Sequence, residues 1–209
     1  MNILQAIDDP GLFKRWFRDA GTWTAWRAFT AALFGLPMSD SEADLFRQCT
    51  RRETLPEQPF AEAWIVCGRR SGKSFELALV AVFLATFCEY RQYLAPGERA
   101  TILVVATDRR QARTIFRYIR ALLVEVPMLA RMVEREAAEE IDLSNSVTIE
   151  VGTSSYRAVR GRTLAAALCD ELAFWSAENS ANPDYEVLDA LRPAMATIPT
   201  AMLLCAKAC

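Results

Sequence analysis

The segment CGRRSGKS, residues 67–74, has the residue types of a loop that binds phosphate. In the usual pattern, GxxxxGK[ST], backbone amides surround the phosphates, the lysine reaches the β- and γ-oxygens and the hydroxyl binds Mg²⁺. Cys67 stands where that pattern has its first glycine, with Gly68 beside it. Because the first glycine mainly permits the turn, we predict a related loop that still binds a nucleotide. Its predicted nucleotide-binding residues are Gly68, Arg70, Ser71, Gly72, Lys73 and Ser74.

Two adjacent acids, Asp170 and Glu171, follow the almost purely apolar run at residues 164–169. Charges directly after a buried strand cost free energy unless they serve a purpose. We predict that Asp170 and Ser74 hold Mg²⁺ and that Glu171 polarises the water that attacks the γ-phosphate. The alternatives are that GKS is a chance surface turn and that the acid pair caps a helix.

Arginines flank both motifs, and phosphoryl transfer requires positive charge against its transition state. Arg69 and Arg70 lie within the loop, whereas Arg157, Arg160 and Arg162 precede the acidic strand. We predict a catalytic or intersubunit role for Arg160. An ordinary surface charge is the alternative for each of them.

Composition limits the chemistry further. The chain of 209 residues has no histidine, which excludes Ser/His/Asp triads and the common histidine-bearing zinc sites. Its net charge of −2 gives no global attraction to nucleic acid, so any such contact depends on a local patch. Six cysteines without CxxC spacing indicate reduced thiols and a reducing cytoplasm. The longest apolar run, residues 77–88, is too short to cross a bilayer, and no export signal is visible.

Apolar segments alternate with helical ones after residue 60, and the phosphate loop lies between the first strand and the first helix. Helices are predicted from about Lys73 to Tyr90 and from Thr107 or Asp108 to Leu123. Strands are predicted at residues 63–66, 101–106, 147–151, 164–169 and 201–205. This order predicts an α/β fold with a mainly parallel sheet flanked by helices.

The N-terminal part reads as helical. Aromatic residues recur at helical intervals within residues 11–36, which predicts one or two amphipathic helices that pack on the core or form a lid or subunit surface. A further helix at residues 39–48 has Ser39, Asp40 and Ser41 as capping candidates, and a polar linker follows at 50–59. We therefore predict a helical, lid-like segment at 1–55 and the core at 56–209.

One basic patch is a candidate for contact with DNA. Arg109, Arg113 and Arg117 are spaced i, i+4 and i+8 on one predicted helix, with Arg120 near the same face. A solvated helix face is the alternative. A surface that follows phosphates predicts binding that weakens steeply with salt.

Taken together, these motifs resemble the ATPase domain of the large terminase subunit of tailed bacteriophages, the motor that packages DNA into procapsids. The likeness covers most of the chain and rests on FGLP, WIVCGRRSGKS, ILVVATDRRQA, VRGRTLAAALCDELAFW and ANPDYEVLDALRPAMA in that order. It implies a P-loop NTPase fold of the ASCE type that binds ATP and Mg²⁺. By resemblance, Arg69 matches a catalytic arginine before the Walker A lysine, and Arg160 with Gly161 matches the site of an arginine finger. Arg162 remains a competitor.

The resemblance also implies partners and a place of action. It implies double-stranded DNA, a portal protein, a small terminase subunit and a homo-oligomeric ring, with no membrane. The ring acts in the host cytoplasm, at the procapsid portal. Residues 107–112 look like a helicase-type motif that couples nucleotide state to DNA contacts.

The sequence departs from the family in three places. Lys207, Ala208 and Cys209 do not match the Ser/Thr-rich coupling segment that usually follows the last strand. The family's nuclease domain has no counterpart here, so we expect no DNA cleavage by this chain. The adenine contact is open among residues upstream of the loop, namely Gln48, Arg51 and Gln58.

Two other functions stay open on the sequence alone. One is a helicase-like or other nucleic-acid-dependent P-loop ATPase. The other is a nucleotide-gated assembly module with little turnover. A small-molecule kinase is less favoured, because Glu171 suits activation of water and no acceptor site is discernible.

Overall fold

The computed structural model describes residues 1–19, 21–153, 161–172, 175 and 183–208. It divides into two compact units, Met1–Ala61 and Glu62–Cys209. Its helices are α1 (Ile3–Asp8), α2 (Thr24–Leu33), α3 (Asp40–Thr50), α4 (Lys73–Phe87), α5 (Arg109–Val124), α6 (Pro127–Ala130) and α7 (Pro183–Met195). Its strands are β1 (Glu62–Cys67), β2 (Ala100–Ala106), β3 (Val133–Glu136), β4 (Glu140–Leu143), β5 (Val147–Thr153), β6 (Thr163–Asp170) and β7 (Met202–Ala208).

The first unit contains α1, α2 and α3. Of the three capping candidates, Ser39 is the N-cap of α3: its hydroxyl accepts from the backbone amide of Glu42, whose carboxylate accepts from the amide of Ser39. Arg27 of α2 forms ion pairs with Asp8 at the end of α1 and with Glu42 of α3. One guanidinium therefore joins all three helices.

The FGLP motif marks a close backbone crossing in this unit. Gly35 follows α2 with φ of 61°, in the left-handed region. A Cβ on Gly35 would lie 2.4 Å from the carbonyl carbon of Gln58. Both constraints require glycine here, because any side chain would collide with the segment that leads to β1.

The second unit is built on one sheet, whose strand order in the described residues is β1-β7-β6-β2-β5-β4-β3. The first five strands in that order, β1, β7, β6, β2 and β5, pair in parallel. The β3–β4 hairpin then adds antiparallel strands at one edge. The predicted mainly parallel α/β sheet is confirmed.

Helices cover both faces of the sheet's centre. On one face, α7 packs Val187 and Leu191 into an apolar cluster with Leu103 of β2 and Cys205 of β7. On the other face, α4 and α5 pack against β2, β5 and β6. Every residue of β2 is buried, as expected of a central strand in a two-sided α/β sandwich.

Several features differ from the predicted elements, among them the short helix α6, which was not predicted. The polar strands β3 and β4 and the helix α7, which contains Pro193, were not predicted from the pattern. Helix α4 ends at Phe87 rather than near Tyr90, because Cys88 is already extended. Strand β7 runs to Ala208, so Lys207 and Ala208 belong to the sheet.

No helix within the described ranges is both long enough and apolar enough to span a membrane.

Candidate functional site

The loop CGRRSGKS connects the carboxyl end of β1 to the first turn of α4. Gly72 is the N-cap of α4 and has φ of 90°, a left-handed conformation that glycine adopts without strain. Arg70 is also left-handed, with φ of 60°. Cys67 is not, and its thiol donates to the carbonyl oxygen of Lys207, with a sulfur–oxygen distance of 3.6 Å. The loop therefore makes its turn at Arg70 and Gly72 and needs no glycine at position 67.

Lys73 brings the loop and the acid pair together. Its Nζ lies 2.8 Å from Oδ1 of Asp170 and 2.5 Å from Oε1 of Glu171. The side chain of Lys73 is 9% exposed and that of Asp170 is fully buried. Burial disfavours the ammonium charge, but the two carboxylates outweigh it and raise the pKa of Lys73.

Glu171 lies in a constrained position just after β6. Its φ is 53°, which is rare for a residue with a side chain. Its Oε2 accepts a hydrogen bond of 2.9 Å from the backbone amide of Ala208, at the end of β7. Partial burial acts to raise the pKa of Glu171, and Lys73, the Ala208 amide and the charge of Arg69 together lower it. Glu171 is therefore ionised at neutral pH, as a general base must be.

Ser74 and Asp170 are joined by a third side chain, that of Gln111 on α5. Its Nε2 donates to Oγ of Ser74 at 2.9 Å and to Oδ2 of Asp170 at 2.7 Å. Both oxygens thus point at one small volume.

Hydroxyl and carboxylate oxygens are the donors that Mg²⁺ prefers, and Ser74 and Asp170 fit such an ion. No cluster of three or more His, Cys, Asp or Glu side chains that would suit a metal occurs in the described residues. The donor set therefore suits a cation held partly by phosphate rather than by an all-protein cage.

The topology explains why these residues meet. Strands β1, β7, β6 and β2 are parallel neighbours, so their carboxyl ends lie along one edge of the sheet. That edge carries the loop after β1, Ala208, the acid pair after β6 and the start of α5. Trp175, which is buried, donates from Nε1 to the carbonyl oxygen of Asp170 at 3.0 Å and supports the turn after β6.

The flanking arginines divide into three groups. Arg69 and Arg70 are exposed on the loop. Arg162 pairs with Glu150 of β5, with Nη2–Oε2 of 2.6 Å, so its charge is already compensated. Arg157 and Arg160 lie outside the described residues.

The adenine candidates and the α5 arginines are surface residues. Gln48, Arg51 and Gln58 are all exposed and lie in the first unit. Arg109, Arg113 and Arg117 are exposed along α5 and have no acidic partner in the described part of the chain, whereas Arg120 pairs with Glu136 at 2.7 Å.

Sequence reasoning missed two contributors to the site, Gln111 and the backbone amide of Ala208. Gln111 stands in the segment ILVVATDRRQA, directly after β2. It also lies within residues 107–112, which resemble a helicase-type coupling motif, but no contact of Gln111 with Ser74 or Asp170 was predicted. Ala208 offered none, because a backbone donor has no sequence pattern.

A mainly parallel sheet, a strand-to-helix loop with a left-handed glycine, and an acid pair two strands away are the features of the P-loop NTPase fold of the ASCE type. The structure resembles the HK97 bacteriophage large terminase, with a TM-score of 0.57 and 14% identity over 88% of this chain and 37% of that one. It also resembles the Thermus phage P74-26 large terminase ATPase domain, with a TM-score of 0.53 and 16% identity over 86% and 68%.

At these identities the likeness establishes the fold, and it confirms the resemblance to terminase ATPase domains at that level. No protein-family model matches the chain, and no curated protein matches it in sequence. The chain spans 37% of the length of the HK97 protein.

Proposed function

We propose that this chain binds ATP with Mg²⁺ and hydrolyses it, as the motor domain of a DNA-packaging machine. The observation that carries the proposal is the single cluster formed by Lys73 and Ser74 of the loop with Asp170 and Glu171 after β6. Lys73, Asp170 and Glu171 supply the charged groups that γ-phosphate cleavage requires, and Ser74 supplies a hydroxyl that suits Mg²⁺. The fold shared with terminase ATPase domains supports the same reading.

Each residue then has a defined task. Lys73 leaves its two carboxylates and binds the β- and γ-phosphates, because a triphosphate offers a stronger concentration of negative charge. Ser74 and Asp170 would hold Mg²⁺, which neutralises phosphate charge when bound. Glu171, released from Lys73, accepts a proton from the attacking water. The loop amides between Gly68 and Ser74 surround the phosphates.

The work done by hydrolysis is proposed to be movement of double-stranded DNA. The uncompensated arginines of α5 offer a surface for phosphates, and α5 begins at the nucleotide site. Such a motor works as a ring on the procapsid portal, in the host cytoplasm, with a portal protein and a small terminase subunit as partners. In that ring Arg160 is the proposed finger towards a neighbouring subunit, and Arg69 acts in its own loop.

The test is the ATPase rate as a function of protein concentration. We expect Glu171→Gln to lose at least 10²-fold in rate while it still binds ADP. Arg160→Ala is expected to lose about 10³-fold. A mixture of the two variants regains activity if the finger is supplied by a neighbour, whereas a cooperative wild type without such recovery argues against Arg160. A wild type with no ATPase activity at any concentration, with DNA present, overturns the proposal.

One observation favours a second candidate, a nucleotide-gated assembly module. Lys73 and the Ala208 amide already hold both oxygens of Glu171, so the base is not free in this conformation. Slow turnover that Glu171→Gln leaves unchanged, with assembly that depends on ATP, would favour this candidate. A free strand that stimulates ATPase without packaging would instead indicate a helicase-like enzyme.

A further inference from the structure

Gln111 is a polar side chain at this site to which the proposed function gives no task. It lies in the first turn of α5, which Asp108 caps by accepting a 2.8 Å hydrogen bond from the backbone amide of Gln111. Because β2 pairs directly with β6, this turn lies beside Asp170. Helix α5 is also joined to α4 by an edge-to-face contact of Phe75 with Tyr118, with ring centroids 5.6 Å apart. These contacts fix the helix turn that carries the side chain of Gln111.

The orientation of its amide follows from the chemistry of its neighbours. The carboxylate of Asp170 pairs through Oδ1 with the ammonium of Lys73 and accepts through Oδ2, so the group facing Oδ2 is the NH₂ end of Gln111. The second hydrogen of that NH₂ reaches Oγ of Ser74. The amide nitrogen thus lies between the two oxygens that are proposed to bind Mg²⁺. An N–H group does not bind a cation, so these bonds and a bound cation exclude each other.

On the basis of the proposed function, we propose that Gln111 is the positioning residue of the metal site. Its NH₂ bridges Ser74 and Asp170 and keeps their oxygens aimed at one point. For Ser74 and Asp170 to hold a cation, the NH₂ would give up both bonds and the terminal amide would turn, so that Oε1 would face the site as an acceptor. The terminal torsion of glutamine is broad and roughly two-fold, so this turn is inexpensive.

The test separates the metal from the nucleotide by measuring fluorescent mant-ADP binding with excess Mg²⁺ and with EDTA. In the wild type we expect Mg²⁺ to tighten binding. Gln111→Met keeps the length of the side chain and removes both polar groups. We expect it to reduce the gain from Mg²⁺ by about tenfold or more, with the dissociation constant in EDTA changed by less than about twofold. Gln92→Met, an exposed glutamine on another element, is the matched control and is expected to match the wild type.

Gln111→Glu provides a readout without nucleotide. It keeps an acceptor oxygen but loses both donors and places a carboxylate against Asp170. We expect a lower melting temperature than the wild type in EDTA and a larger rise when Mg²⁺ alone is added. This arm also shows whether variants at this position fold.

The outcomes separate the two proposals. If Mg²⁺ tightens mant-ADP binding to Gln111→Met as much as to the wild type, the proposed role of Gln111 is wrong. It is also wrong if Gln111→Met loses the same affinity with and without Mg²⁺, because that result would indicate a merely structural role. If the wild type binds no mant-ADP under either condition, the proposed function fails. The melting curves then decide: a Gln111→Glu protein that melts like the wild type in EDTA and with Mg²⁺ also overturns the placement of the Gln111 amide on Asp170.

Discussion

The ammonium of Lys73 lies 2.5 Å from Oε1 of Glu171, so the lysine proposed to bind phosphate and the proposed general base compensate each other's charge. Asp170 completes the arrangement at 2.8 Å from the same nitrogen. The three charged groups therefore pair with one another, and under the proposed function a nucleotide would replace the carboxylates as the partner of Lys73. This competition makes the stability of the protein and its chemistry depend on the same contacts.

Removal of the lysine charge should destabilise the protein. In Lys73→Met, the buried carboxylate of Asp170 loses its cation, and we expect the free energy of unfolding to fall by about 3 kcal/mol. Urea unfolding in EDTA measures this change. The double variant Lys73→Met/Asp170→Asn should recover part of the loss, because no charge is then buried alone. Lys14→Met, at an exposed lysine, serves as the control. Equal stability of Lys73→Met and wild type would contradict the ion pair.

The contribution of Glu171 to stability should depend on pH. Its pKa in the folded protein lies below the ordinary value of 4.5, so its stabilising effect is complete above about pH 4.5 and disappears as the pH falls through the lowered value. At pH 7 we expect Glu171→Gln to be less stable than the wild type by about 1 kcal/mol. Chemical denaturation across pH 7 to 3 measures the difference, which should shrink below pH 4.5. A difference that does not change with pH would contradict the assignment.

Restoring the usual glycine at the start of the loop should change little. Cys67 is not left-handed, so Cys67→Gly relieves no strain. We expect mant-ADP affinity within about threefold of the wild type and a loss of about 0.5–1 kcal/mol in stability, since glycine weakens the strand end. Gly72→Ala is the contrasting variant. At φ of 90° an alanine is strained, and we expect a larger loss of both affinity and stability. A strong gain of affinity in Cys67→Gly would show that the loop does need the glycine.

The arginines of α5 should contribute to DNA binding through charge. For Arg113→Ala/Arg117→Ala, we expect weaker binding of a duplex of any sequence and a salt slope, in log–log form, that is smaller by about 2. Anisotropy titrations at several salt concentrations measure both quantities. Arg120→Ala should have a smaller effect, because Glu136 already pairs with that arginine. If the double variant binds like the wild type, α5 presents only a solvated face.

Much of the site could be predicted because its parts carry local signals. Lys73 and Ser74 follow a strand and begin a helix, and Asp170 and Glu171 end an apolar run. Each pair therefore indicates its chemistry from its local sequence alone. Gln111 lies in the segment 107–112 that resembles a helicase-type motif, but neither its residue type nor its position indicates a contact with Ser74 and Asp170. Its role depends on β2 lying next to β6, which hydrophobic patterns do not reveal.

The fold shows the same division. The buried strands β2 and β6 are largely apolar and were predicted, whereas β3 and β4 carry the charged residues typical of an edge hairpin and were missed. Helix α7 contains Pro193, which disfavours a helix in the sequence pattern, yet its apolar side packs on the sheet. Tertiary packing outweighed local propensity in that segment.

The sequence by itself determined the chemical groups and the strands that carry them, because phosphate binding and metal binding each need a short local arrangement of residue types. Only the tertiary structure decided which groups meet. The order β1-β7-β6-β2 places Lys73 between two acids, Ala208 on Glu171 and Gln111 between Ser74 and Asp170. Strand order follows from how whole faces pack against helices, and no local pattern of residues contains that information.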